Sequence, residues 1–252
     1  MLFKLREREY YLERLVMLKD KHAEVAHILD FLYQVELFKK DLYTQIKDSD
    51  WKRHIKKIYH LFEVCEAHGS PSIKEVLREL KKLSKEDLIK KMEKFLREKT
   101  ACDEERFIFI SFLNPFFSKL SESTDIKKDQ WLKNTCPVCG FKPSVSYISD
   151  AEEVEGGRYL SCVLCNTEWL YNRTKCVRCG NDEDDSLEYY YDERERYALL
   201  QVCKKCNTYI KIIDMRIDGL AVPQFDDIAT LYLDLWAKEK GFIKFEKSII
   251  GL

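Results

Sequence analysis

Four Cys-x-x-Cys pairs crowded into the second half of the chain limit its folding more than any other feature: Cys136/Cys139, Cys162/Cys165, Cys176/Cys179 and Cys203/Cys206. A turn of this length brings two sulfurs together, so each pair supplies half of a tetrahedral S4 site with metal–sulfur distances of about 2.3 Å. The pairs also fall in a duplicated order. Cys136-Pro137-Val138-Cys139-Gly140 is echoed by Cys176-Val177-Arg178-Cys179-Gly180, and Arg158-Tyr159 with Cys162-Val163-Leu164-Cys165-Asn166-Thr167 by Arg196-Tyr197 with Cys203-Lys204-Lys205-Cys206-Asn207-Thr208. The repeat therefore predicts two ions, one on Cys136, Cys139, Cys162 and Cys165 and one on Cys176, Cys179, Cys203 and Cys206. Each closes a small β ribbon too short of core to hold itself. Gly140 and Gly180 permit a left-handed backbone after the second cysteine and let amide donors approach the sulfurs. Sulfur-only tetrahedral coordination suits Fe and Zn alike.

Other uses of paired cysteines remain open at this stage. Thioredoxin-like dithiols favour a helix N-terminus in a βαβ setting, whereas the flanks here are β-prone. Disulfides, one shared multi-iron cluster, and an interlocked pairing of the first and third pairs are further arrangements. The last of these loses its agreement with the repeat.

Composition divides the chain near residue 130. The first part is rich in Lys, Glu and Leu and holds only Cys65 and Cys102 of the ten cysteines. Leu15, Leu18, Val25, Ile28, Leu29, Leu32, Val35, Phe38, Leu42 and Ile46 recur at three and four, which predicts a long helical stripe interrupted near Asp20. Further helices are expected over residues 51–65, 73–80 after Gly69-Ser70-Pro71, and from Ser84-Lys85-Glu86-Asp87 onward. Asn114-Pro115 predicts a kink or a new start in the apolar run that follows Phe107, and residues 118–130 read as a linker. In the second part, strands are expected over residues 144–148, 158–161, 168–171, 187–191, 197–202 and 209–213. A helix over residues 224–240 is stopped by Gly241. The reading is an α+β fold: an N-terminal all-helical bundle (residues 1–130), two zinc-ribbon-like tetracysteine β modules (131–172 and 173–218), and a C-terminal helix and tail (219–252).

Charge and motif content remove several function classes. With 43 Lys+Arg against 44 Asp+Glu, the 252-residue chain has a formal net charge of −1. From Trp131 onward 16 basic side chains face 20 acidic ones, and two divalent ions on eight thiolates add further negative charge, so nucleic-acid binding is disfavoured. The small basic group of Arg173, Lys175, Arg178, Lys204 and Lys205 reads as solvated edges, or as a site for one acidic segment or a short piece of RNA. No apolar window reaches membrane-spanning length, the start is charged almost at once, and the sulfur pairs suit a reducing compartment, which predicts a cytoplasmic protein without membrane insertion. The five histidines lack HExxH spacing, and no phosphate-binding loop, dinucleotide pattern or Ser/His/Asp motif is present. Cys65 and Cys102 read as small buried side chains. Asp214, Asp218, Asp226 and Asp227 flank the last helix, and two of them read as its cap and first-turn acid. The aromatic residues Trp169, Tyr171 and Tyr189-Tyr190-Tyr191 suit either core or a partner surface.

The flanking residues carry a resemblance. Residues 136–140, 157–169, 175–179 and 203–211, with Asp226-Asp227-Ile228-Ala229-Thr230-Leu231-Tyr232-Leu233-Asp234, closely resemble the formate dehydrogenase accessory protein FdhE family. The resemblance implies a non-catalytic, cytoplasmic accessory protein that helps mature respiratory formate dehydrogenase and contacts its catalytic subunit. It further implies rubredoxin-like metal modules, with iron as the ion associated with relatives. A redox protein using iron held by four cysteines and a zinc-ribbon RNA-binding protein are the alternative expectations.

Overall fold

A computed structural model describes residues 2–126, 131–151 and 154–251. Contacts divide it into two compact units, one reaching Thr124 and including Ile249–Gly251, the other Asp125–Ser248.

The first unit contains α1 (Leu2–Lys21), α2 (Ala26–Gln45), α3 (Ile58–His68), α4 (Pro71–Leu80), α5 (Lys85–Glu98) and α6 (Asp103–Ser123). The long stripe breaks at residues 22–25, close to the expected Asp20. Leu15 and Leu18 on one side and Leu29, Leu32 and Val35 on the other then enter the same core. The caps follow local chemistry. Ser70 Oγ accepts from the Ile73 amide at 3.3 Å ahead of Pro71, and Ser84 Oγ accepts from that of Asp87 at 3.1 Å. Residues 51–57 form 3-10 turns before α3 starts.

Helix α6 departs from expectation: it runs through Pro115 and ends at Ser123, so residues 118–123 are helix rather than linker. Burial explains this. Phe112, Leu113 and Phe116 are fully enclosed, and Arg8 donates to Ser118 Oγ at 3.4 Å. Tyr43 donates its hydroxyl proton to Glu122 at 2.7 Å. Packing of this kind outweighs the backbone hydrogen bond that proline removes. The expected linker at residues 127–130 lies outside the described residues.

The second unit holds β1 (Pro143–Ala151), β2 (Val154–Cys162), β3 (Glu168–Leu170), β4 (Leu187–Tyr191), β5 (Ala198–Cys203), β6 (Thr208–Asp214), α7 (Pro223–Ala229), α8 (Leu231–Glu239) and β7 (Ile243–Lys244). The strands form one sheet in the order β3-β2-β1-β6-β5-β4, with β7 also beside β6. Each sequence repeat contributes an antiparallel three-stranded ribbon. The ribbons join along a parallel seam in which Val145–Ile148 of β1 face Lys211–Asp214 of β6. The seam follows from β6, whose seven residues are all buried and whose backbone must therefore be paired on both edges.

The expected terminal helix is split at Thr230, whose backbone leaves the helical region at φ −95°, ψ 38°. The cause is Lys211. Its Nζ reaches from the sheet and donates to the carbonyl oxygens of Asp227 at 2.6 Å and Thr230 at 3.0 Å. Those acceptors are thereby satisfied at the break. Among the described residues no helix is long and apolar enough to cross a membrane.

Candidate metal centres

Each cysteine pair is set in a tight hydrogen-bonded turn. Gly140 N donates to Cys136 O at 3.0 Å and Gly180 N to Cys176 O at 3.0 Å, with φ of 70° and 72°. Those left-handed values explain glycine at both positions. The partner turns use asparagine instead: Asn166 and Asn207 have φ of 55° and 52°, and Asn166 N donates to Cys162 O at 3.2 Å. Asparagine is among the few non-glycine residues that adopt this region readily. The repeated Cys-Asn-Thr was visible in the sequence, but its conformational role was missed.

The turns bring the sulfurs together as two groups, Cys136, Cys139, Cys162 and Cys165, then Cys176, Cys179, Cys203 and Cys206, each with ligand atoms within 4.8 Å of one another. In the first, Sγ separations are 3.4 Å for Cys136–Cys165 and Cys139–Cys162 and 3.5 Å for Cys139–Cys165. In the second, Cys176–Cys206 and Cys179–Cys203 are each 3.7 Å apart. A regular tetrahedron with metal–sulfur distances of about 2.3 Å has edges of roughly 3.8 Å. The second centre matches that edge and the first is slightly contracted. None of the ten cysteines is in a disulfide. Both clusters are thus positioned to bind a metal ion, Fe or Zn, through sulfur alone.

Backbone donors complete the sites. The Val138 amide points at Cys136 Sγ and the Arg178 amide at Cys176 Sγ, each at 3.4 Å. Such donors stabilise thiolate charge. Burial pushes the Cys162 thiol well up and that of Cys176 up to about 12. An arriving cation must displace those protons. The centres differ in exposure: three of four sulfur residues in the first are buried, whereas Cys179 in the second is exposed.

The remaining candidates separate cleanly. Burial pushes Cys65 up to about 12, leaving it an inert core thiol, whereas Cys102 is exposed rather than buried. Among the described residues no histidine joins either cluster. Trp169 and Tyr171 are core, and Trp169 donates to Lys133 O at 2.9 Å. Tyr189 and Tyr191 are about half exposed, at 46% and 51%. Of the basic edge residues, Lys175 faces Asp182, Lys204 pairs with Glu188 and Lys205 with Glu183, which leaves little free positive charge for phosphate.

Asp226 is the first-turn acid of α7, its Oδ2 accepting from the Val222 amide at 2.7 Å. Asp227 does something else. With Lys211, Asp234 and Lys244 it forms a buried quartet: Lys211 Nζ lies 2.6 Å from Asp234 and 3.2 Å from Asp227, and Lys244 Nζ 2.9 Å from Asp227 and 3.0 Å from Asp234. Tyr209 also donates to Asp234 at 2.9 Å. The quartet ties β6, β7 and both terminal helices together beside the strand that follows Cys206.

Comparisons with known proteins agree with this architecture. Residues 135–173 match the family model described as FdhE, central domain, and residues 174–249 that of FdhE, C-terminal domain. The protein FdhE homolog of Aquifex aeolicus is 41% identical over 275 residues, covering 99% of this chain and 97% of that protein. The homolog from Haemophilus ducreyi is 29% identical over 204 residues, covering 79% of this chain and 65% of that protein. The crystal structure of the FdhE protein from Pseudomonas aeruginosa shares the fold, with a TM-score of 0.73 at 20% identity over 96% of this chain and 94% of that one. The near-complete correspondence to the Aquifex protein, with both family models laid across the duplicated sulfur ribbons, shows that the chain belongs to the FdhE family.

Proposed function

We propose that the protein is a cytoplasmic accessory factor that binds the catalytic subunit of formate dehydrogenase during its maturation. Membership of the FdhE family supports a non-catalytic role in formate dehydrogenase maturation, and this membership is the observation that carries the reading. Neither the electron-transfer nor the RNA-binding alternative gains support from the comparisons.

The eight clustered cysteines act as ligands in this account: residues 131–172 hold one ion and residues 173–218 the other. An Fe or Zn ion bound there supplies cross-linking charge, not a reaction step. The chain's own residues do the rest. The seam between β1 and β6 makes the ribbons one platform, the quartet anchors α7 and α8 on it, and Tyr189 and Tyr191 remain exposed for a client.

Coexpression of the tagged, metal-replete chain with the catalytic subunit of formate dehydrogenase tests the reading. Retention of that subunit is expected, together with loss of dehydrogenase activity when the gene for this chain is deleted. No association and unchanged dehydrogenase activity overturn it.

A further inference from the structure

Arg158 lies on β2, in the first repeat, and is 1% exposed. It donates through Nη1 to the carbonyl of Lys175 at 3.2 Å and through Nε to Ser146 Oγ at 3.4 Å. Its guanidinium carbon stands 5.9 Å from the centre of the Tyr171 ring. Its remaining nitrogen, Nη2, is buried without a hydrogen-bond partner, and among the described residues no carboxylate pairs with this side chain. A fully buried, permanently charged cation without a counter-charge is costly enough to require an explanation.

The surroundings point to the second sulfur centre. The acceptor for Nη1 is the peptide immediately before Cys176, and Tyr171, whose amide donates to Arg158 O at 2.9 Å, donates its hydroxyl proton to Cys176 O at 3.4 Å. Burial opposes the guanidinium charge and pushes its pKa down to about 10. Arg196, the counterpart in the second repeat, is different: it is exposed and paired with Glu193. Burial of the arginine is therefore specific to the copy that abuts the other copy's sulfur turn.

We propose that Arg158 is a positioning residue that acts as the counter-charge of the centre formed by Cys176, Cys179, Cys203 and Cys206, so that metal loading there depends on a cation supplied by the first ribbon. The inference rests on reading the eight cysteines as ligands. A divalent ion with four thiolates carries a charge of −2, whereas four thiols without metal carry none. The cation thus gains its partner when the site fills.

The test uses full-length chains in which Cys139→Ala or Cys179→Ala leaves one intact centre to be titrated with Zn2+ against a chromophoric chelator. Adding Arg158→Gln is expected to weaken the second centre by about tenfold or more and to leave the first within about twofold. Arg158→Lys, which keeps the charge with less change in shape, is expected to hold the second centre within about threefold of its parent, and Arg196→Gln to change neither. Iron-loaded protein gives an independent reading, because a nearby cation favours the more negative, reduced centre. Arg158→Gln is then expected to lower the midpoint potential of the second centre only. If Arg158→Gln does not fold, Arg158→Lys decides: a tenfold loss at the second centre overturns the proposal. Equal weakening of both centres by Arg158→Gln, or of neither, also overturns it. Absence of Zn2+ binding by both single-cysteine parents instead removes the ligand reading on which it stands.

Discussion

Replacing Asp234 by Ala isolates the energetic role of the buried quartet. Lys211, Asp227, Asp234 and Lys244 have side-chain exposures of 0%, 1%, 5% and 6%, so solvent can take over little of what is lost. The substitution removes the acceptor for Lys211 at 2.6 Å, Lys244 at 3.0 Å and Tyr209 at 2.9 Å. Two enclosed ammonium groups are then left sharing Asp227. Removing one partner from a buried ion pair costs about 3–5 kcal/mol, because the survivor stays desolvated. For a chain of this length each kcal/mol moves the melting point by roughly 2–4 °C, so a fall on the order of 6–20 °C is expected. Thermal and urea unfolding of metal-loaded protein, with metal content checked before and after, provide the assay. Asp234→Leu combined with Lys244→Met deletes one charge of each sign, keeps the Lys211–Asp227 pair, and is expected to cost less than the sum of the single changes. A loss below about 1 kcal/mol for Asp234→Ala, or strict additivity in the double variant, refutes the reasoning.

Other outcomes follow from the same contacts. Cys139→Ala and Cys179→Ala are each expected to lower bound metal from two ions to one and to destabilise the shared sheet; unchanged metal content in both contradicts the ligand assignment. Burial favours a higher pKa for Asp234, but Lys211 and Lys244 outweigh it and hold the carboxyl below its ordinary value. Its stabilisation is complete above the unfolded pKa, near 4, and lost as pH falls through the lower folded value. Burial opposes the charge on Lys244, yet Asp227 and Asp234 raise its pKa, so that contribution is complete below about pH 10 and lost as pH rises through the folded value. Melting points measured against pH should therefore form a plateau whose acid shoulder shrinks in Asp234→Asn, and an unchanged shoulder counts against the quartet. Because burial keeps the Cys162 and Cys176 thiols protonated, zinc uptake at neutral pH should release protons, read by calorimetry in buffers of different ionisation enthalpy. Buffer-independent heats contradict this.

What was legible in the sequence was local. Two sulfurs three residues apart are held together by covalent geometry, and the duplicated order joined first pair to second and third to fourth, the grouping the structure displays. β4 at residues 187–191 follows from its aromatic run, and Ser84 from its capping chemistry. Long-range features were not legible. Lys211 between Ile210 and Ile212 resembles the solvent-facing position of an alternating strand, and nothing nearby announces that Lys244, Asp227 and Asp234 converge on it. Without those partners, residues 224–240 read as one helix, and the capture of the Asp227 and Thr230 carbonyls by Lys211 goes unforeseen. The β1–β6 seam was invisible for a related reason: parallel pairing leaves no turn between its strands to mark it. In α6, the polar stretch from Ser118 resembled a linker because the partners of Ser118 and Glu122, namely Arg8 and Tyr43, are distant in sequence.

The most direct test of the account is elemental analysis of the native chain purified under reducing, metal-free buffer conditions, with its fold monitored by circular dichroism. Two ions of iron or zinc per chain, falling to one on removing a cysteine from either cluster, is the predicted result. An intact β sheet with neither metal bound contradicts the claim that two sulfur centres hold this half of the protein in shape.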